Sequence, residues 1–179
     1  YGYAECAIDN NVIEHRDLVV GSIDPNDKMV QVWGQPSKIM AVEGDRLYYK
    51  IRFQNVGNYA ARIVTIKDQL SSDLEWSSIE IQASSHPFDV SMVNGMLRWH
   101  NSTIELPDST SDEEGSHGYV SFSIEPRKGL AKMTNVTNQA AIVFDYNDPI
   151  ITNLTEIYCN GLSNITSQYL HIRPNPSKD

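Results

Sequence analysis

An all-β sandwich is the fold class this chain predicts, and three observations carry it. Short runs of alternating apolar and polar residues recur about every 8–15 residues, with turn signals between them. No stretch shows the periodicity of an amphipathic helix. At 179 residues the chain is long enough to bury a real core. The clearest run lies in Gly44–Leu70, where Leu47, Tyr49, Ile51 and Phe53 alternate with Tyr48, Lys50, Arg52 and Gln54. One face is apolar and the other wet, as in a strand that covers a core on one side. Asn55-Val56-Gly57-Asn58 supplies turn residues. Val64 and Ile66 then share a face of a second strand, with Arg62 and Asp68 near its ends, and the two strands read as a hairpin.

The remaining elements follow in order. Residues 1–22 form a lead-in from an upstream region, with Val12-Ile13 and Leu18-Val19-Val20 as short apolar pieces. Asp24-Pro25-Asn26-Asp27-Lys28 reads as a turn, Met29–Trp33 as a short strand, and Gly34-Gln35-Pro36 as a break. Leu74, Trp76, Ile79 and Ile81 mark a strand or irregular edge. Phe88, Val90 and Met92 alternate toward Asn94-Gly95, and Met96, Leu97 and Trp99 return; Asn-Gly between alternating runs is a strong hairpin signal. An acidic, Ser-rich loop spans Pro107–His117, and Val120, Phe122 and Ile124 define a further strand. Val136, Ala140, Ile142 and Phe144 mark the last long strand, and Ile150-Ile151 and Ile157 a short final one. The predicted core lining is Leu47, Tyr49, Ile51, Phe53, Val120, Phe122, Ile124, Ala140 and Ile142. The sandwich thus occupies residues 23–158, followed by a polar linker at 159–168 and the opening of another unit at 169–179.

Charge and composition exclude some functions. A formal net charge of -9 argues against a nucleic-acid partner, because binding phosphates needs clustered Lys and Arg. No apolar run approaches the ~18 residues of a membrane span. The first residues are neither basic nor apolar enough for a signal peptide, and the missing Met suggests an excised fragment. Cys6 and Cys159 form no CxxC pair; in an exported protein they would close a disulfide between the first and last segments.

Five motifs, DPNDK at 24–28, GDRLYYKIRFQNVGN at 44–58, SSHPFDV at 84–90, LPDSTSDEEGSHGYVSFSIEP at 106–126 and FDYNDPIITN at 144–153, come in sequence. Their series resembles an immunoglobulin-like surface-repeat domain of unknown function from secreted proteins of Bacteroidetes. The final YLHIRPNPSKD, with Pro174-Asn175-Pro176, resembles the start of the C-terminal sorting domain of type IX secretion. The resemblance implies an immunoglobulin-like antiparallel β-sandwich, export across the outer membrane, and a secreted or cell-surface location. It implies as partners the upstream domains of the same chain and, through a complete sorting domain, the secretion machinery. The piece present here is too short to fold as that domain. No catalytic activity is implied.

Several residues could carry a site. Asp24, Asn26 and Asp27, and separately Asp145, Asn147 and Asp148, are oxygen-rich loops of the kind calcium uses, although Asp, Asn and Pro also simply make turns. In a sandwich with an odd number of strands the two loops would lie at opposite poles and share no ion. Asp108, Asp112, Glu113 and Glu114 read as a solvated acidic loop. His15, His86, His100, His117 and His171 show no metal-ligand spacing, and neither HExxH nor GxSxG occurs. Trp33, Trp76 and Trp99, with Tyr48, Tyr49 and Tyr119, raise glycan binding, with Tyr48 and Tyr119 on wet strand phases and Trp99 in phase with the core. Asn101, Asn135, Asn153 and Asn164 sit in N-x-S/T patterns, and Ser109 lies in an Asp-Ser-Thr motif resembling the O-glycosylation site of exported Bacteroidetes proteins. An intramolecular Lys–Asn isopeptide bond would need a lysine such as Lys28 beside Asn138, a contact that sequence does not establish. The expected function is a non-catalytic module without cofactor that spaces or displays an upstream region. The alternative is a carbohydrate-binding module attached to a secreted hydrolase or adhesin, recognisable by a flat row of exposed aromatics.

Overall fold

The structure is a computed structural model that describes residues 25–161. Twelve strands fill these residues: β1 (Asp27–Val32), β2 (Met40–Val42), β3 (Leu47–Gln54), β4 (Val64–Gln69), β5 (Leu74–Ser84), β6 (Asp89–Val93), β7 (Met96–Asn101), β8 (His117–Pro126), β9 (Thr134–Asn138), β10 (Ala140–Phe144), β11 (Ile150–Ile151) and β12 (Thr155–Asn160). One sheet runs β1-β3-β8-β5 and a second runs β11-β10-β4-β7-β6. Every pairing within these two sheets is antiparallel. A small third sheet, β2-β12-β9, includes a parallel β2–β12 pair, so the layout is more than the two antiparallel sheets predicted.

The two large sheets face each other across one core. Rings mark the contact: Trp99 of β7 lies 5.6 Å from Phe122 of β8, and Phe53 of β3 lies 6.3 Å from Phe144 of β10. All nine residues predicted to line this space are buried. The alternation in β3 and β8 is the reason, since one phase of each strand is apolar and the pleat sends that phase inward. Asn94-Gly95 does form the β6–β7 hairpin; both residues take positive φ, 51° and 77°, as a two-residue turn of that hand requires.

The predicted hairpin over 44–70 is corrected. β3 belongs to one sheet and β4 to the other, so the two strands face each other without pairing. The backbone between them bonds elsewhere: Asn55 N–H donates to the Ser116 carbonyl, and Ala61 exchanges both bonds with Leu106. The Asn55 amide also donates to the carbonyls of Tyr59 and Leu106, which turns the chain from one layer to the other. Asp27 and Lys28 are likewise strand residues of β1, not part of the preceding turn.

β9 and β10 are one extended run shared by two sheets. Val136, Asn138, Ala140, Ile142 and Phe144 are all buried in a single phase, while β9 pairs with β12 and β10 with β4. The described chain begins and ends at opposite poles. Asp27 pairs with Arg52 near the end of β3, whereas Asn160 pairs with Val42, beside the turn that leads into the start of β3.

Candidate functional site

The phase of three strands places three polar side chains inside the sandwich. Lys28 of β1 lies two residues before Val30, Asp68 of β4 two after Ile66, and Asn138 of β9 between Val136 and Ala140. Asp68 is fully buried, Lys28 is 2% exposed and Asn138 3% exposed. Lys28 Nζ donates to Asp68 Oδ2. The ammonium also sits 5.0 Å from the Tyr49 ring centre and 5.7 Å from that of Phe122. Desolvation of such a pair works against both charges. Burial pushes the Lys28 ammonium down to about 8, and Asp68 only partly offsets this. Burial pushes the Asp68 carboxyl up, with Lys28 and Asn138 opposing.

Asn138 lies close enough to Asp68 to influence its ionisation, yet makes no hydrogen bond of ordinary length with it. Asn138 Nδ2 and Asp68 Oδ1 are both buried without a hydrogen-bond partner. Asn138 Oδ1 accepts the Gln139 backbone N–H at 2.8 Å, and the Asn138 carbonyl accepts from Thr155 Oγ1. On the other side Asn153 clamps the Lys28 backbone, accepting its N–H and donating to its carbonyl, both at 2.9 Å. An amine, a carboxyl and a carboxamide thus meet in an apolar enclosure. Chemically, the arrangement can hold a proton between amine and carboxyl while the carboxyl stands beside an amide.

The other predicted residues do not gather into a site. Asp24 lies outside the described residues. Asp27 is held by Arg52, Asn26 Oδ1 accepts the Gln54 N–H, and Asp145 Oδ1 accepts the N–H groups of both Arg62 and Ile63. Asp145 has φ 52°, so its role is that of a turn residue, while Asn147 and Asp148 are exposed. The two oxygen-rich loops do lie at one pole, contrary to the expectation, because β11 and β12 still follow the second loop. Among the described residues no three His, Cys, Asp or Glu side chains are grouped as metal ligands.

The solvated reading of the acidic loop is corrected at Asp108, which is only 4% exposed. Its carboxylate accepts from Thr110 N, Thr110 Oγ1, Ser111 N and Ser111 Oγ. Those hydrogen bonds hold its carboxyl at about 2, below the ordinary 3.8. Because the folded value is the lower one, the contribution is full above 3.8 and is lost as pH falls through about 2. The gap in melting temperature between parent and Asp108→Asn is therefore expected to narrow as pH drops across that window. A gap unchanged from pH 5 to pH 2 would show that the carboxylate charge contributes nothing.

Cys159 is buried on β12 and its thiol is pushed up to about 11, first by burial; Cys6 lies outside the described residues. Ser109 is half-buried and its N–H donates to the Asn55 carbonyl. The Asn101 amide donates to the Pro87 carbonyl, and Asn164 lies outside the described residues. Trp33 and Tyr48 meet edge to face, 5.2 Å apart at 70°, and Lys50 Nζ stands 4.2 Å over the Tyr119 ring. Trp33 and Tyr48 therefore do not present one flat face. Among the described residues no helix is long and apolar enough to cross a membrane.

Comparison with known proteins places this geometry. A family model described as "Domain of unknown function (DUF7619)" matches residues 24–157. The chain belongs to that family. No curated protein matches it. Among solved structures, the fold resembles domains D2 and D3 of the major pilin SpaD from Corynebacterium diphtheriae, at 15% identity and a TM-score of 0.51, over 74% of this chain and 52% of that one. The full-length SpaD pilin gives 16% identity and a TM-score of 0.52, over 74% of this chain and 35% of that one. The N-terminal domain of the Streptococcus gordonii adhesin Sgo0707 gives 14% and 0.51, over 78% and 33%. The chain therefore spans about half or less of the length of these structures. The fold is the immunoglobulin-like antiparallel sandwich seen in pilin and adhesin domains.

Proposed function

We propose that this DUF7619 domain is a non-catalytic β-sandwich module that spaces or displays an upstream region of a secreted bacterial surface protein. The reading rests first on the fold shared with pilin and adhesin domains. Two features of the chain fit it. The described part begins and ends at opposite poles, as a module in a row requires. Polar side chains such as Asp27, Asp108 and Asp145 serve turns and ion pairs, and among the described residues no nucleophile is held with an acid–base pair in an open pocket. The motifs quoted above add a Bacteroidetes source, with export through the type IX pathway and attachment by a complete sorting domain.

The experiment is replacement of residues 23–158 in the full-length protein by an unrelated sandwich of similar length. Retained surface exposure and unchanged activity of the upstream region are expected. Loss of either, with the replacement folded, would overturn the spacer reading. Binding of the isolated module to a glycan array would favour the carbohydrate-binding alternative instead.

A further inference from the structure

We propose that Lys28 and Asn138 become joined by an intramolecular isopeptide bond, Lys28 Nζ to Asn138 Cγ, with Asp68 carrying the protons. The inference does not depend on the display role. It starts from an unpartnered pair of polar atoms. Asp68 Oδ1 and Asn138 Nδ2 are buried without hydrogen bonds, as are Tyr49 Oη and Trp99 Nε1 in the same core, but only this pair joins a carboxyl to a carboxamide. Leaving such groups unpaired is costly, so a structure that keeps them calls for an explanation. A buried lysine bonded to the same carboxyl supplies one.

The placement of all three residues is fixed by backbone pairing. Asp68 stands opposite Ala140, two residues from Asn138 on the same phase. Thr155, opposite Asn138 across β9–β12, donates to its carbonyl, and Asn153 two residues earlier grips Lys28. First strand and late strand are thus held against one carboxyl. Restricting the reactants in this way replaces a collision between free groups by an encounter within one enclosure.

The step balances without any co-reactant. The Lys28 ammonium gives a proton to Asp68, leaving a neutral amine and a carboxylic acid, the forms that burial favours. The amine lone pair forms a bond to Asn138 Cγ. The negative charge that develops on Oδ1 is met by the Gln139 N–H, which already donates to that atom. Asp68 passes its proton to Nδ2 and receives one from Nζ. The Cγ–Nδ2 bond breaks and ammonia leaves. Tyr49, Phe122 and Trp99 wall the enclosure, so water does not compete for Cγ.

The test is intact-mass measurement of the purified 179-residue chain under denaturing conditions, followed by tryptic mapping. The expected mass is the sequence mass less one ammonia. Trypsin should fail to cut after Lys28, and one branched peptide should contain both Lys28 and Asn138. Succinimide formation at Asn94-Gly95 or Asn160-Gly161 also releases ammonia, so the branched peptide is the deciding species. Lys28→Met, Asn138→Ala and Asp68→Ala should each restore the full mass. A folded parent with the full sequence mass would overturn the proposal. So would normal cleavage after Lys28, or a mass loss in Lys28→Met that mapping does not trace to Asn94 or Asn160. Because mapping of the parent decides the matter, a variant that fails to fold leaves the result intact.

Discussion

Asp68→Ala is expected to lower the melting temperature by more than any surface substitution in this domain. The carboxyl is fully buried and holds the only cation that β1 sends into the core. Removing one partner of a buried ion pair typically costs about 3–5 kcal/mol, because the other charge is left without compensation. For a domain of this size that corresponds to roughly 10–20 °C. Lys28 limits the damage by giving up its proton, which its lowered value of about 8 makes affordable. Asp68→Ala and the double variant Lys28→Met with Asp68→Leu both lack the proposed Lys28–Asn138 link, so the double variant, which removes the charges together, should recover the part of the loss that an uncompensated Lys28 causes. Thermal melting of the single and double variants checks this. Equal melting of the two would show that the uncompensated charge is not what the single variant suffers from.

Trp99→Ala is the second large effect. Trp99 is fully buried at the centre of β7, opposite Ile66 on one side and Val90 on the other, with its ring against Phe122. Truncation leaves a cavity that β4 and β8, each held by two ladders, cannot close, and costs about 3–5 kcal/mol. Trp99→Phe separates volume from polarity. The indole Nε1 is buried without a hydrogen-bond partner, so the phenyl ring gives up packing but also removes an unsatisfied donor worth about 1–3 kcal/mol. Urea denaturation should place the Phe variant much nearer the parent than the Ala variant. Two equally destabilised variants would mean that Nε1 is in fact satisfied in solution.

Strand phase was legible in the sequence because it is local. The alternation at Leu47–Phe53 and Val120–Ile124 names the inward residues directly, and Asn94-Gly95 names its own hairpin. Which strands pair is a different matter. β3 and β4 are neighbours in sequence and strangers in hydrogen bonding, and β2 meets β12 from the far end of the domain. Such pairings depend on contacts that no window of residues contains. The buried cluster was half legible. Asp68 continues the phase of Val64 and Ile66, and Asn138 that of Val136 and Ala140, so a polar residue on a core phase was the available signal. Lys28 and Asn138 are nameable from sequence as a candidate pair, although Lys28 reads as part of a turn while the structure starts β1 at Asp27; the carboxyl between them, Asp68, reads only as a strand-end residue. The oxygen-rich loop at Asp145 reads like an ion site because turn capping and calcium use the same atoms; here the backbone of Arg62 and Ile63 takes them.

The opposite placement of the first and last strand ends has a mechanical consequence. A pull on the two ends of the domain runs along β1 and β12 rather than across them. The ladder bonds of β1 to β3 lie perpendicular to that pull, so they resist it together instead of opening one after another. Lys28 stands at the second residue of β1, next to the point where the force arrives. A covalent link from there to Asn138 would carry the load past everything between the two residues. Roughly 370 Å of extended chain would then stay folded at any force short of breaking a bond. Stretched singly, the linked domain should lengthen only by what lies after Asn138, and the Lys28→Met variant by nearly its whole length.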